Sequence, residues 1–181
     1  MFKTNYKIYF EQCYPIKDHA KQVMEWRNDP TTLSMFYHHE PKIWPDFWDE
    51  FRNTYFNANQ TIHPVFAVTQ NKRVGFLKFT SINHPYGLPG LTVDISINIS
   101  PEARGKGIGT KVLKACIEYL CKKGIACIYA EVLSHNVASI KTFKAAGFSF
   151  IEQKEKIVAD TGETHSIQCF LIDTVCDDAT H

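Results

Sequence analysis

No apolar run in this 181-residue sequence approaches the ~20 residues that a membrane-spanning helix requires. Residues 1–7 also lack the apolar centre of a signal peptide. Neither sign of charge is in excess: twenty Lys and Arg face nineteen Asp and Glu, for a formal net charge of +1. That balance argues against a dedicated nucleic-acid binder, whose electrostatic footprint is basic. The six cysteines (Cys13, Cys116, Cys121, Cys127, Cys169, Cys176) form no C-x-x-C pair and no ladder of zinc spacings. Disulfides, structural zinc and secretion are therefore not expected, and the economical reading is a reduced, cytoplasmic protein without a metal. Internal repeats and low-complexity tracts are missing too.

What is present suits one packed domain. Hydrophobic residues make up 44% of the chain and aromatics 13%, ample for a core, and the length falls in the ~100–200 residues of a single domain. We expect that domain to occupy residues 1–175, with a polar, frayed tail over 176–181. The patterning predicts a strand over 6–13 and a helix from Pro15 to the Asn28-Asp29-Pro30 breaker. A loop follows over 33–45, then an aromatic-rich helix over 44–56. Strands over 65–69 and 74–82 flank a four-residue turn, Gln70 to Arg73. Over 91–100, Leu91, Val93, Ile95, Ile97 and Ile99 alternate with Thr92, Asp94, Ser96, Asn98 and Ser100, which places aliphatic and polar groups on opposite faces of a strand. A helix over 110–123 and a strand over 125–132 complete a βαβ unit, whose pairing is parallel. A helix over 136–146 and a hairpin of strands over 148–158 and 164–172 end the pattern. The expectation is an α/β fold: one mixed sheet of about seven strands with about four helices.

Three glycines opening a helix, Arg104-Gly105-Lys106-Gly107-Ile108-Gly109, call for a chemical reason. Glycine lets the backbone turn tightly and lets a ligand come close, and the amides at a helix start form an anion site. Arg104, Lys106, Lys111 and Lys114 add charge around it, so a phosphate or pyrophosphate ligand is inferred. The Walker spacing G-x-x-x-x-G-K-[ST] is missing. The dinucleotide spacing G-x-G-x-x-G fails at Thr110. R-x-x-G-x-G fits, although a lone glycine-rich turn can serve packing alone.

That motif, together with Asn136-Val137-Ala138-Ser139-Ile140 and Ala146-Gly147-Phe148, resembles the GNAT superfamily of acetyl-CoA-dependent N-acetyltransferases, whose element order is similar over 6–172. The resemblance implies a GNAT-type domain that uses acetyl-CoA as acetyl donor. It implies that Arg104, Gly105, Lys106, Gly107, Ile108, Gly109 and Thr110 bind the pyrophosphate. Ile97, Asn98 and Ile99 would offer backbone bonds to the pantetheine arm, with Asn136 and Ser139 near the coenzyme. The implied acceptor is a primary amine of a small molecule; a protein N-terminus, a polyamine, or a non-catalytic acyl-CoA-binding role are the alternatives. Monomer and homodimer both stay open.

A protonated amine must lose its proton before attacking a thioester. Asp94, on the polar face of the alternating strand, is similar in position to the family's acid, or is an ordinary solvated carboxylate. Glu131 is a second candidate. Many family members carry a tyrosine seven residues after the asparagine as general acid; here Phe143 stands there, and phenylalanine has no proton to give. Asn136 also suits a helix N-cap, Ser139 an exposed helix surface, and Cys116, Cys121 and Cys127 a core. His38 and His39, being neighbours, make no metal pair on a strand; the alternative for them is the lining of the acceptor pocket. Trp26-Arg27-Asn28-Asp29-Pro30 resembles a segment of family members acting on nucleotide-linked amino sugars, which implies acceptor contacts from Trp26, Arg27 and Asn28. The alternative is a core anchor at Trp26 and a helix-terminal cation at Arg27.

Overall fold

The computed structural model describes residues 7–57, 60, 62–159 and 161–174. The start of the first expected strand, the centre of the last hairpin turn and the polar tail lie partly or wholly outside the described residues. Among the described residues, seven strands form one sheet in the order β1-β2-β3-β4-β5-β7-β6. They are β1 (Tyr9–Gln12), β2 (Val65–Thr69), β3 (Lys72–Ile82), β4 (Leu91–Ile99), β5 (Ile125–Leu133), β6 (Ser149–Ile157) and β7 (Thr164–Asp173). Every neighbouring pair is antiparallel except β4 and β5, which are parallel as the βαβ pattern predicts.

Among the described residues, five α-helices cover the sheet: α1 (Lys17–Arg27), α2 (Pro30–Leu33), α3 (Asp46–Thr54), α4 (Ile108–Cys121) and α5 (Val137–Ala146). The single turn α2 was not expected. Four residues carry no apolar period, and its signal is local: Pro30 at the first helical position and the Asp29 carboxylate accepting the Thr32 amide at 3.0 Å. The β2–β3 turn is also tighter than expected. Gln70 (φ 49°) and Asn71 (φ 58°) make a two-residue turn of the primed type, so Lys72 and Arg73 belong to β3.

Alternation in β4 buries Val93 and Ile95 against Val112, Leu113 and Cys116 of α4, in a core that also takes in Phe143 and Phe170. On the opposite face, α1 and α3 pack Val23, Trp26, Phe47, Phe51 and Tyr55 onto Phe66 and Phe76 of β2 and β3. The polar side chains of β4 therefore point toward the α1–α3 layer. One cysteine expectation is corrected. Cys121 at the end of α4 is disulfide-bonded, whereas Cys13, Cys116, Cys127 and Cys169 are free and buried. Short cysteine spacings in sequence do not report a pairing between distant positions. The disulfide removes one support for a reduced compartment. No helix among the described residues is long and apolar enough to cross a membrane.

Candidate active site

The parallel ladder between β4 and β5 stops at the pair Asp94–Tyr129, although both strands continue, to Ile99 and Leu133. Beyond that point β4 stays paired to β3 and β5 to β7. The facing edges part, leaving main-chain groups of β4 turned toward an open gap. A cleft of about 610 Å³ fills this gap. It runs from the glycine turn past Ile97, Asn98 and Ile99 and the α5 face (Asn136, Ser139, Phe143) to Asp94, Glu131 and Tyr37.

Gly105 (φ 71°) and Gly107 (φ 70°) take left-handed backbone conformations in the turn, and Gly107 is the N-cap of α4. A Cβ built at either position meets nothing within 4 Å. The turn therefore borders open space, and packing does not require these glycines. Above it lie the amides of Ile108, Gly109 and Thr110 in the first helical turn, which have no intrahelical acceptor. Open space, free amides and a helix N-terminus fit a pyrophosphate.

Two charged residues of the motif are engaged elsewhere. The Arg104 guanidinium donates to the Ile99 carbonyl at 3.0 Å, to Asp29 at 2.5 Å and to the Thr32 hydroxyl. It joins the glycine turn to α2 and borders the cleft as a clamp. Lys106 donates to the Glu102 carbonyl at 2.7 Å and does not line the cleft. Asn136 caps α5 by accepting the Ser139 amide at 3.0 Å, and both residues also border the cleft.

The carboxylates differ in character. Burial, reinforced by the Glu131 charge and opposed by Lys156, Lys78 and Lys154, pushes the Asp94 carboxyl up to about 7. For Glu131 burial also acts upward, but the hydrogen bond and charge of Lys156, aided by Lys154, outweigh it and hold the group below its ordinary value. Lys154 lies 3.3 Å from Glu131, and the Tyr129 and Tyr37 hydroxyls donate to it at 3.1 and 3.4 Å. Glu131 is thus a fixed anion that tunes Asp94, and Asp94 has the affinity for a proton that a base at neutral pH needs. Tyr37 and Lys156 were missed by sequence reasoning. Each reaches the cleft only through tertiary folding, and neither sits in a motif. Phe143 lies at the cleft wall but packs against Phe148 and Phe170.

The Trp26–Pro30 segment separates into roles. Trp26 is 6% exposed, meets Phe66 edge-on and does not line the cleft, so it is the core anchor. The Asn28 amide clamps residue 42, donating to the Lys42 carbonyl at 2.8 Å and accepting its amide at 2.7 Å. Arg27 donates to the Tyr55 hydroxyl at 3.1 Å and stacks on Phe36. The three side chains thus have different surroundings, as neighbouring residues of a helix end point different ways.

Among the described residues, one group has donor atoms close enough to share an ion: His84, Cys127 and Asp173, within 4.8 Å of one another. It sits at the start of β4 and β5, away from the glycine turn. His84 Nδ1 accepts the Tyr86 amide at 3.1 Å, which places the proton of the neutral ring on Nε2, and burial pushes the Cys127 thiol up to about 11. Both features oppose metal ligation.

The chain is similar to several known proteins. YwnH, a candidate phosphinothricin acetyltransferase of Bacillus subtilis (strain 168), is 28% identical over 102 residues, 55% of this chain and 62% of YwnH. YobR, an uncharacterized N-acetyltransferase of the same organism, is 24% identical over 154 residues, 79% of this chain and 60% of YobR. The chain thus spans about three-fifths of these relatives' length. The crystal structure of spermidine N-acetyltransferase from Vibrio cholerae in complex with CoA and spermine superposes with a TM-score of 0.73, covering 92% of this chain and 95% of that one at 16% identity, a likeness of fold. The model of the acetyltransferase (GNAT) family matches residues 20–148, well over half of the sequence, and the chain belongs to that family.

Proposed function

We propose that the chain moves the acetyl group of acetyl-CoA onto a primary amine of a small molecule, with Asp94 as the base. One observation carries this: a single cleft joins the open glycine turn to a half-buried carboxyl that desolvation pushes up to about 7. The amides of Ile108 to Thr110 hold the pyrophosphate, and the free edge of β4 at Ile97, Asn98 and Ile99 holds the pantetheine arm. A main-chain amide of that edge stabilises the oxyanion formed when the amine adds to the thioester. Asp94 takes the amine proton, directly or through water, while Glu131 stays ionised. An acceptor ammonium ion has a pKa of ~10, so a base near neutrality lowers the barrier without being titrated away by the solvent.

The expectation of a nucleotide-linked amino sugar rested on Trp26 to Asn28. Trp26 serves the core and Asn28 a loop, which leaves Arg27 as that acceptor's only support from the segment. The second reading, a non-catalytic acyl-CoA-binding domain, draws on Phe143, which cannot protonate a departing thiolate.

Thiol release from acetyl-CoA, measured with amino acids, polyamines, aminoglycosides, nucleotide-linked amino sugars and peptides, tests the proposal. Release with at least one small amine is expected. Tight acetyl-CoA binding with no release from any amine would favour the binding domain.

A further inference from the structure

Beside the cleft lies a small recess enclosed by Arg27, Lys78, Ser96 and Asn98, with Phe36 and Tyr55 completing its wall. It shares Phe36, Ser96 and Asn98 with the main cleft, so a molecule in the cleft borders it directly. Register explains why these groups meet. Lys78 pairs with Ser96 and Phe76 with Asn98 across the β3–β4 ladder, which puts all four on one face of the sheet. Arg27, at the end of α1, closes the recess from above.

Its chemistry is one-sided. Arg27 is a fork of five donors, with one hydrogen bond, to Tyr55, and an aromatic face, Phe36. The Lys78 ammonium sits over the Tyr55 ring at 4.7 Å. Neither cation is ion-paired to a carboxylate among the described residues. The anions that act on Lys78 are Glu50 and Asp94, and the cations are Arg27 and Lys42. Glu50 is bound to Lys42 at 2.7 Å, and Asp94 holds its proton up to about pH 7. Asn98 is 9% exposed, and its amide nitrogen is buried with no acceptor. An unmet buried donor costs about 1–3 kcal/mol, and half-buried cations without a counter-ion cost more. The recess has a volume of about 10 Å³, room for one water or one ligand oxygen.

Resting on the acetyl-transfer reading, we infer that this recess takes an oxygen of an anionic group on the acceptor. The substrate class is then an amine that also carries a carboxylate or a phosphate, as an amino acid or an aminoalkyl phosphate does. The anion bonds Lys78, Arg27 and the Asn98 amide, and the amine is left in the cleft on the Asp94 side. A polyamine brings a second cation to the same place and is disfavoured.

Titration calorimetry on the protein saturated with CoA reads this without turnover. The probes are a set of α- and ω-amino acids, their methyl esters, 2-aminoethyl phosphate and spermidine. Binding of an acid at least about tenfold tighter than its ester is expected, with carboxylate and phosphate arms showing which anion fits. Lys78→Met should bring the affinity for the acid down to that for the ester, and Lys78→Arg should keep the preference. The wild-type ratio alone decides the matter should Lys78→Met not fold. Equal binding of acid and ester, as expected were the recess to hold only water, or preference for spermidine, would overturn the inference. Acid-selective binding without thiol release would sustain the recess and sink acetyl transfer; thiol release from esters and spermidine without acid preference would do the reverse.

Discussion

Arg104 donates to Asp29 at 2.5 Å across a sequence separation of 75 residues. The same guanidinium holds the Ile99 carbonyl and the Thr32 hydroxyl, so one side chain ties the end of β4, the glycine turn and the N-terminus of α2. The position of the turn thus depends on a bond to the other half of the chain.

Arg104→Met should destabilise the protein by about 1–3 kcal/mol, because it strands a partly buried carboxylate, and should raise the KM for acetyl-CoA by loosening the turn. Arg104→Lys should recover little of either, since an ammonium cannot reach three acceptors in one plane. Denaturant melts against pH add a sign. The hydrogen bond from Arg104 foremost holds the Asp29 carboxyl below its ordinary value. Its stabilisation is present above the unfolded-state pKa of ~3.9 and is lost as pH falls through the depressed folded value. Arg104→Met should flatten that acid limb; an unchanged limb would remove the pair from the fold's energetics.

Asp94 has the opposite linkage. Burial first, then the Glu131 charge, raises its carboxyl from 3.8 to about 7, so the unfolded chain releases this proton before the folded one does. Stability is lost as pH rises between those values. Asp94→Asn should therefore be more stable than the wild type at pH 8, by up to about 4 kcal/mol at ~1.4 kcal/mol per pKa unit, and indistinguishable from it below pH ~4. The same change should lower kcat by roughly 10²–10⁴ and leave acetyl-CoA affinity intact. Wild-type kcat/KM should climb with pH and level off above about 7. A variant with wild-type turnover would strike Asp94 from the mechanism.

Glu131→Gln tests the coupling of the two carboxyls. Removing that charge frees Lys156 and Lys154, which already favour ionised Asp94, so both effects lower the Asp94 pKa. The rising limb of the kcat/KM profile should move to lower pH with the plateau reduced modestly. A limb that stays in place would show that Glu131 does not set the affinity of Asp94 for its proton.

Much of this site was legible because local chemistry dictates it. Period-two alternation from Leu91 to Ile99 placed Asp94, Ser96 and Asn98 on one face, and the structure keeps them there. Gly107 and Gly147 marked the start of α4 and the end of α5, and both have positive φ. What could not be read is what distant segments bring together. Lys156 on β6 meets Glu131 on β5 with β7 between them, and no spacing encodes that contact. Trp26 and Arg27 are adjacent in sequence, yet one anchors the core and the other reaches the recess, a choice made by what packs on each side of α1. The parting of β4 from β5 is invisible as well, since apolar residues continue along both strands past the point where pairing ends.

Gly107 gives the cleanest separation of binding from folding. A Cβ at this position meets nothing within 4 Å, so Gly107→Val carries only the strain of a left-handed, β-branched residue, about 3 kcal/mol at the upper end of such costs. The added side chain would stand over the amides at the start of α4, in the space assigned to the pyrophosphate. Acetyl-CoA affinity should fall at least about a hundredfold, as when several charge-assisted bonds are lost together, while the melting transition stays cooperative. Gly109 offers the contrast, because a Cβ there comes to 3.1 Å from Thr142 Cγ2 of α5. Gly109→Ala should therefore perturb the α4–α5 packing and stability as well as binding. Full acetyl-CoA affinity in Gly107→Val would show that the turn does not hold the coenzyme.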